Sequence, residues 1–225
     1  MLRDIEAEVA ATRDEIGKRS LDERVMAAIA RVPRESFLPL ACRFMAFDNG
    51  AVPIGHGQTI SQPYIVALMT DLLAPRADSV ILEVGTGSGY QAAVLAELVR
   101  QVYSIEIVEP LARAAVGRLA ALGYDNVAVR EGDGYHGWSE HAPYDGIIVT
   151  AAAPQVPEPL IEQLKPGARL VIPVGAPHDV QTLRVLTKLQ DGSCLMRNVL
   201  SVAFVPLTRR FGAPYGGGPA EDSSP

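Results

Sequence analysis

Eleven residues constrain this chain more than any others: Val80-Ile81-Leu82-Glu83-Val84-Gly85-Thr86-Gly87-Ser88-Gly89-Tyr90. Val80 to Val84 is apolar at every position but Glu83, and three of its residues are β-branched, which suits a strand covered on both faces. The alternate glycines let the backbone turn sharply and lie close to a ligand, where a Cβ would intrude. Gln91 to Leu98 then reads as an Ala-rich helix with one apolar face. Strand, glycine turn and helix form the nucleotide-binding opening of a doubly wound sheet. The expected class is therefore α/β, a doubly wound Rossmann-like sheet, mostly parallel.

The spacing also discriminates among nucleotides. In the dinucleotide fingerprint the third glycine follows the second by three residues. Here it comes one residue early, and Tyr90 stands where that fingerprint needs a small residue. Glu83 precedes the first glycine by two residues. Beside a pyrophosphate its charge would repel the ligand; beside an amine and a sulfonium it would attract. Acid-x-Gly-x-Gly-x-Gly thus matches S-adenosylmethionine better than a nicotinamide dinucleotide. The blander alternative is a glycine turn that only packs helix on strand.

Further strands place further candidates. Val102 to Glu106 reads as the second strand, and Glu106 follows Gly85 by 21 residues. An acid at that spacing bonds ribose hydroxyls in this fold class, or is simply a solvated acid ahead of the helix over 110–122. Val127 to Val129, the third strand, leads into Gly132-Asp133-Gly134, where Asp133 either accepts from an adenine amino group or makes a turn. Tyr144 to Thr150 is the fourth strand, and the small residues Ala151 to Ala153 leave room at its carboxyl end, where ligands sit in open sheets. The expected cofactor set is Glu83, Gly85, Thr86, Gly87, Ser88, Gly89, Glu106, Gly132, Asp133 and Thr150.

Ahead of the glycine turn, residues 1–31 read as two helices, the second with a capping box of Ser20 and Glu23. Residues 33–57 read as irregular. The polar run Gly55-His56-Gly57-Gln58-Thr59-Ile60-Ser61-Gln62 then meets Pro63, a residue suited to the first position of a helix. A helix N-terminus with a hydroxyl beside it is a ready site for a carboxylate, although Ser61 could equally just cap the helix. Beyond the fourth strand, Pro159–Leu164 is a short helix and Arg169–Val174 a fifth strand. Thr182–Lys188 and Val199–Val205 close the sheet as an antiparallel pair. The expected organisation is an N-terminal arm over 1–60, a nucleotide-binding domain over 61–211 and a disordered Gly/Pro/Ser-rich tail over 212–225.

Composition narrows the partners. A net charge of −6 argues against nucleic acid or an anionic membrane. No apolar run reaches the ~18 residues of a membrane helix, and the acidic start lacks a signal-peptide pattern. Cys42 and Cys194 are isolated, as befits a reducing cytoplasm, and the four histidines lack metal-ligand spacing. A cytoplasmic monomer without metal is expected.

In the order of its motifs the chain resembles the protein-L-isoaspartate O-methyltransferase family, within the class I S-adenosylmethionine-dependent methyltransferases. The resemblance is carried by Val32-Pro33-Arg34-Glu35-Ser36-Phe37-Leu38-Pro39, by Pro53-Ile54-Gly55-His56-Gly57-Gln58-Thr59-Ile60-Ser61-Gln62-Pro63, by Glu83–Tyr90, by Pro166–Gly175 and by Phe204-Val205-Pro206-Leu207. It spans roughly residues 20–208; Ala168 and Ala203 depart from it, where glycine and arginine are usual. It implies methylation of the free α-carboxylate of isoaspartyl residues in damaged proteins, with S-adenosyl-L-homocysteine as product. It also implies Ser61 as the catalytic residue orienting that carboxylate, and His56, Thr59, Ile60 and Gln62 as further substrate contacts. A carboxylate with a pKa near 4 needs no general base, which agrees with the lack of a candidate His or Cys. Two other classes stay open: a class I methyltransferase for another small acid or hydroxyl, and a non-enzymatic binder of damaged proteins.

Overall fold

The computed structural model describes residues 1–176 and 179–209; the tail expected over 212–225 lies outside them. Helix α1 (Leu2–Ile16) ends on Gly17 in the left-handed region at φ 71°. Helix α2 (Glu23–Arg31) is capped not by Ser20, as the capping-box pattern suggested, but by Asp22, whose side chain accepts from the Arg24 N–H at 2.8 Å. Asp22 is the residue next to the first turn, so its shorter reach decides the cap. The arm is fastened by Asp71, which is buried, pairs with Lys18 and accepts from the Asp22 N–H at 2.8 Å.

Residues 33–57 are more ordered than the irregular reading allowed. Two 3-10 turns (Arg34–Phe37 and Leu40–Met45) lead into a hairpin of β1 (Val52–Gly55) and β2 (Gln58–Ile60). Its turn residues His56 and Gly57 have φ 53° and 70°, as a type I′ connection requires. Four- and three-residue strands holding Pro53 are too short to show an alternation. Helix α3 (Pro63–Leu73) follows with Pro63 in its first turn. It is buried at every position except Ile65.

The main sheet takes the remaining strands: β3 (Val80–Val84), β4 (Gln101–Glu106), β5 (Val127–Glu131), β6 (Tyr144–Val149), β7 (Leu164–Val174), β8 (Gln181–Lys188) and β9 (Cys194–Val202). Helices α4 (Tyr90–Ala96), α5 (Glu109–Ala121) and α6 (Glu158–Glu162) connect them. The spatial order is β5-β4-β3-β6-β7-β8-β9; the first five strands run parallel and the last two join antiparallel. From β3 the chain builds outward to β5 and then crosses to the other side at β6, so a switch point lies between the carboxyl ends of β3 and β6, where such sheets bind ligands. Successive residues of β3 face opposite cores. Ile81 joins a cluster that includes Ile5, Ile29 and Leu68, so the arm and one sheet face share a core. Leu82 and Val84 join the cluster on the other face.

The last strand is shifted from the expected Val199–Val205. It starts at Cys194, close behind the tight turn in which the Leu189 N–H donates to the Ser193 carbonyl at 2.7 Å, and stops at Val202. Residues 205–207 instead cross the end of β6: the Ala152 N–H donates to Val205 O, and the Leu207 N–H to Ala152 O, both at 2.8 Å.

Candidate active site

A cleft of about 740 Å³, including its open mouth, sits at the switch point. Its floor is the turn after β3. Gly85 has φ 97°, and a Cβ there would stand 2.4 Å from Thr150 Oγ1. That hydroxyl donates to Gly85 O at 2.6 Å, locking the turn to the end of β6. The Gly85 and Thr86 N–H groups both donate to Ile105 O, at 2.8 and 3.2 Å, locking it to β4 as well. The Ser88 carbonyl accepts from Arg118 at 2.6 Å, which ties the turn to α5.

Glu106 lines the cleft from the end of β4. Its two oxygens accept from the Gly87 and Val108 N–H groups, at 2.7 and 2.9 Å. A carboxylate has about four lone-pair sites, so two remain for a diol. Glu83 does not line the cleft. It is wholly buried beneath the turn, accepts from the Ser104 hydroxyl, and has Oε1 without a partner among the described residues. Thr86 joins this chain through a 2.5 Å contact with Ser104 Oγ. Burial pushes the Glu83 carboxyl up to about 8; the Ser104 hydrogen bond opposes that rise and nearby Glu106 adds to it. The acid is thus neutral near pH 7, and positive charge brought into the cleft would favour its ionised form.

The other expected residues divide. Gly85, Thr86, Gly87, Ser88, Glu106 and Thr150 line the cleft, and so do Thr59, Ile60 and Ser61 on its opposite side. Gly89 packs beneath, where a Cβ would meet Leu119 at 3.3 Å. Gly132 and Asp133 follow β5 beside the cleft, where Asp133 Oδ1 accepts from the Tyr135 N–H at 3.0 Å and Oδ2 faces Arg209 at 3.6 Å. Gln62 lies outside this cleft, in a groove that adjoins it. His56 sits at the exposed hairpin tip. The groove and the cleft share Thr59, Ser61, Thr150 and Val205. Sequence reasoning missed Tyr90 and Gln91, which line the cleft from the start of α4, and the crossing strip Val205–Thr208. Gln91 had a signal, a polar side chain inside an apolar helix; it donates to the Thr70 hydroxyl at 2.8 Å.

The sheet order, the lined glycine turn and the acid ending the neighbouring strand together define the fold and site of a class I S-adenosylmethionine-dependent methyltransferase. Residues 10–212 match the family described as Protein-L-isoaspartate(D-aspartate) O-methyltransferase (PCMT), and the chain belongs to that family. A protein-L-isoaspartate O-methyltransferase 2 from Syntrophobacter fumaroxidans is 62% identical over 208 residues, covering 92% of this chain and 84% of that protein. A solved protein-L-isoaspartate O-methyltransferase superposes with a TM-score of 0.79 at 27% identity, over 94% of this chain and 67% of that one. A second, a putative protein-L-isoaspartate O-methyltransferase from Plasmodium falciparum in complex with S-adenosyl-L-homocysteine, superposes with a TM-score of 0.73 at 24% identity. It is matched over 92% of this chain and 97% of that one.

Proposed function

We infer that this chain repairs aged proteins, moving a methyl group from S-adenosyl-L-methionine to the free α-carboxylate of L-isoaspartyl residues. One observation carries the reading beyond family membership: Ser61, at the foot of α3, lines both the cleft and the groove beside it. A polypeptide in that groove can therefore present a side chain to the cleft without entering it.

The cleft fits the cofactor. Its floor is bare backbone where Gly85 and Gly87 lack Cβ atoms, and Glu106 keeps acceptor sites for a ribose diol. Ile105, Val108 and Leu207 supply apolar walls for a base. When bound, S-adenosylmethionine supplies an electrophilic methyl group on a sulfonium and leaves as S-adenosylhomocysteine. The protein's part is positioning, which alone can reach effective molarities of ~10⁵–10⁸ M. In this reading Ser61 and the first N–H groups of α3 orient the acceptor carboxylate. Thr59, Ile60 and Gln62 hold the neighbouring peptide, and His56 closes over it from the hairpin tip. Glu83, Gly85, Thr86, Gly87, Ser88, Gly89, Glu106, Gly132, Asp133 and Thr150 hold or shape the cofactor site. The carboxylate is already ionised at pH 7, so no base takes part. The resulting methyl ester can expel methoxide, for which a carboxylate has no counterpart. The next backbone amide nitrogen attacks the ester carbonyl, and its proton leaves with the methoxide as methanol as the succinimide closes. Hydrolysis of that ring returns part of it to aspartate.

The same reading takes the chain to act as a cytoplasmic monomer on damaged proteins, without nucleic acid or membrane. The net charge of −6 and the free Cys42 and Cys194 support it. No helix among the described residues is long and apolar enough to cross a membrane. The deciding experiment offers methyl-labelled S-adenosylmethionine and two peptides that differ only in isoaspartate or aspartate at one position. Base-labile label on the isoaspartyl peptide alone is expected; equal label on both, or none on either, overturns the reading.

A further inference from the structure

Arg34 is the largest fully buried side chain among the described residues, with 0% exposure. Buried arginines are ordinarily paired with a carboxylate, because an unpaired buried charge is costly. Among the described residues Arg34 has no such partner. Its Nη2 donates to the Ser61 carbonyl at 2.8 Å, while Nε and Nη1 have no hydrogen-bond partner among the described residues. The guanidinium lies over the Tyr90 ring, 4.8 Å from its centroid. Tyr90 is itself fixed edge-on by Phe37, at 5.5 Å, from the same 3-10 turn as Arg34. Both residues that Arg34 addresses line the cleft, one from each side. Burial depresses its proton affinity, but an arginine stays charged throughout the working range of pH.

A strut of this shape needs no charge; methionine would fill the space without the desolvation cost. We propose that Arg34 is a positioning residue that holds the Ser61 turn by its carbonyl and keeps an uncompensated positive charge behind it, drawing the acceptor carboxylate toward Ser61. The proposal rests on the methyl-transfer reading above. The charge favours only one of the two reactants. It attracts the carboxylate and repels a sulfonium, so it raises acceptor occupancy and does nothing for donor binding. Transfer then cancels both reactant charges, a carboxylate and a sulfonium becoming an ester and a thioether. A fixed charge outside that pair acts on the two losses in opposite directions, so its effect on the chemical step is small. The signature is a split between KM and kcat.

The test compares Arg34→Met, Arg34→Gln and Arg34→Lys in the full chain. The measurements are steady-state kinetics on an isoaspartyl peptide, calorimetric binding of S-adenosylhomocysteine, and Tm. Met and Gln should raise the peptide KM on the order of tenfold or more, the size expected of a nearby charge in a partly screened site. They should leave kcat within about threefold, S-adenosylhomocysteine affinity unchanged and Tm unchanged or higher. Lys should recover most of the KM. Unchanged peptide KM in Met and Gln, or Lys no better than Met, overturns the proposal, as does a joint loss of peptide affinity, cofactor affinity and Tm. A wild-type chain inert toward the isoaspartyl peptide sinks the activity reading and this proposal with it. An active wild type with unaffected variants sinks the proposal alone.

Discussion

The wall proposed to hold the methyl donor hangs from the carboxyl ends of β3, β4 and β6, and its groups are held from several strands at once. Gly85 is bonded to Ile105 and Thr150, and Glu106 to Gly87 and Val108. The wall proposed to hold the acceptor is assembled differently. It consists of a 3-10 turn, a small hairpin and the foot of one helix, joined to one another by single contacts such as Arg34 to Ser61. A backbone-locked wall resists change and fails abruptly when its spacing is violated. A wall built of separate side-chain contacts fails by degrees, each loss touching one ligand. The comparison yields an order of effects.

The largest effect is expected from Gly85→Ala. A Cβ there would meet Thr150 Oγ1 at 2.4 Å on a backbone with φ 97°. A side chain at such a φ costs of order 1–3 kcal/mol, before the clash is counted. S-adenosylhomocysteine affinity should fall by about 100-fold or more, and adding Thr150→Ala should restore part of it; no change on calorimetry would show the floor to be soft. Glu106→Ala follows, with cofactor affinity down ~10- to 100-fold, as for loss of charge-assisted hydrogen bonds, and peptide KM within about twofold. Equal losses for both ligands would erase the distinction between the walls. Ser61→Ala should do the converse, lowering kcat by about tenfold for one lost hydrogen bond to a charged group while cofactor affinity holds. Joint loss would make Ser61 a structural residue.

A smaller effect sharpens the donor side. The folded-state pKa of Glu83, about 8, lies above the ~4.3 of an unfolded glutamate. The unfolded chain therefore ionises first as pH rises, and the stability gained from burying the neutral acid is full below pH ~4.3 and lost between there and about 8. Glu83→Gln cannot ionise, so it should gain in Tm relative to the wild type from pH 5 to pH 8 in scanning calorimetry. A constant difference would place the ionised acid in the folded protein. The smallest effect belongs to the hairpin tip: Gly57→Ala, at φ 70° but with nothing within 4 Å of the new Cβ, should cost about 1 kcal/mol and raise peptide KM only a few-fold. A loss of activity as large as that of Ser61→Ala would mean the hairpin is as locked as the sheet.

The same contrast governs what could be read from the sequence. Strand, turn and acid recur at set spacing because the α/β repeat is periodic, so β3, its glycines and Glu106 stand out in the chain itself. Their surroundings do not. Glu83 signals a charge facing a ligand, yet the sheet buries it beside Ser104, a neighbour 21 residues away that only strand register supplies. Ser61 is legible as a helix-start hydroxyl, but not the Arg34 behind it, because an arginine in a mixed segment reads as a surface residue. The hairpin was hidden by its shortness, and nothing in the side chain of His56 signals the positive φ it takes at the tip. The strip 205–208 belongs to the cleft through main-chain bonds to Ala152, which no side-chain pattern encodes.

Helix α3 has a consequence for how the chain comes off the ribosome. It is apolar nearly all round, and its companions include Gly146 of β6, where a Cβ would press on Leu73 at 2.9 Å, and β7, whose Arg169 donates to the Leu72 carbonyl at 3.0 Å. Those strands are synthesised some 70 to 100 residues later, a delay of roughly 4–20 s at ordinary elongation rates. Through that interval the helix with Ser61 at its foot is covered by the arm and, once they emerge, β3 and α4, whose Gln91 reaches Thr70, but not yet by β6 and β7. A protein devoted to damaged polypeptides thus spends part of its own synthesis with an exposed greasy segment, and α1 and α2, fastened to it through Asp71, are its first shelter.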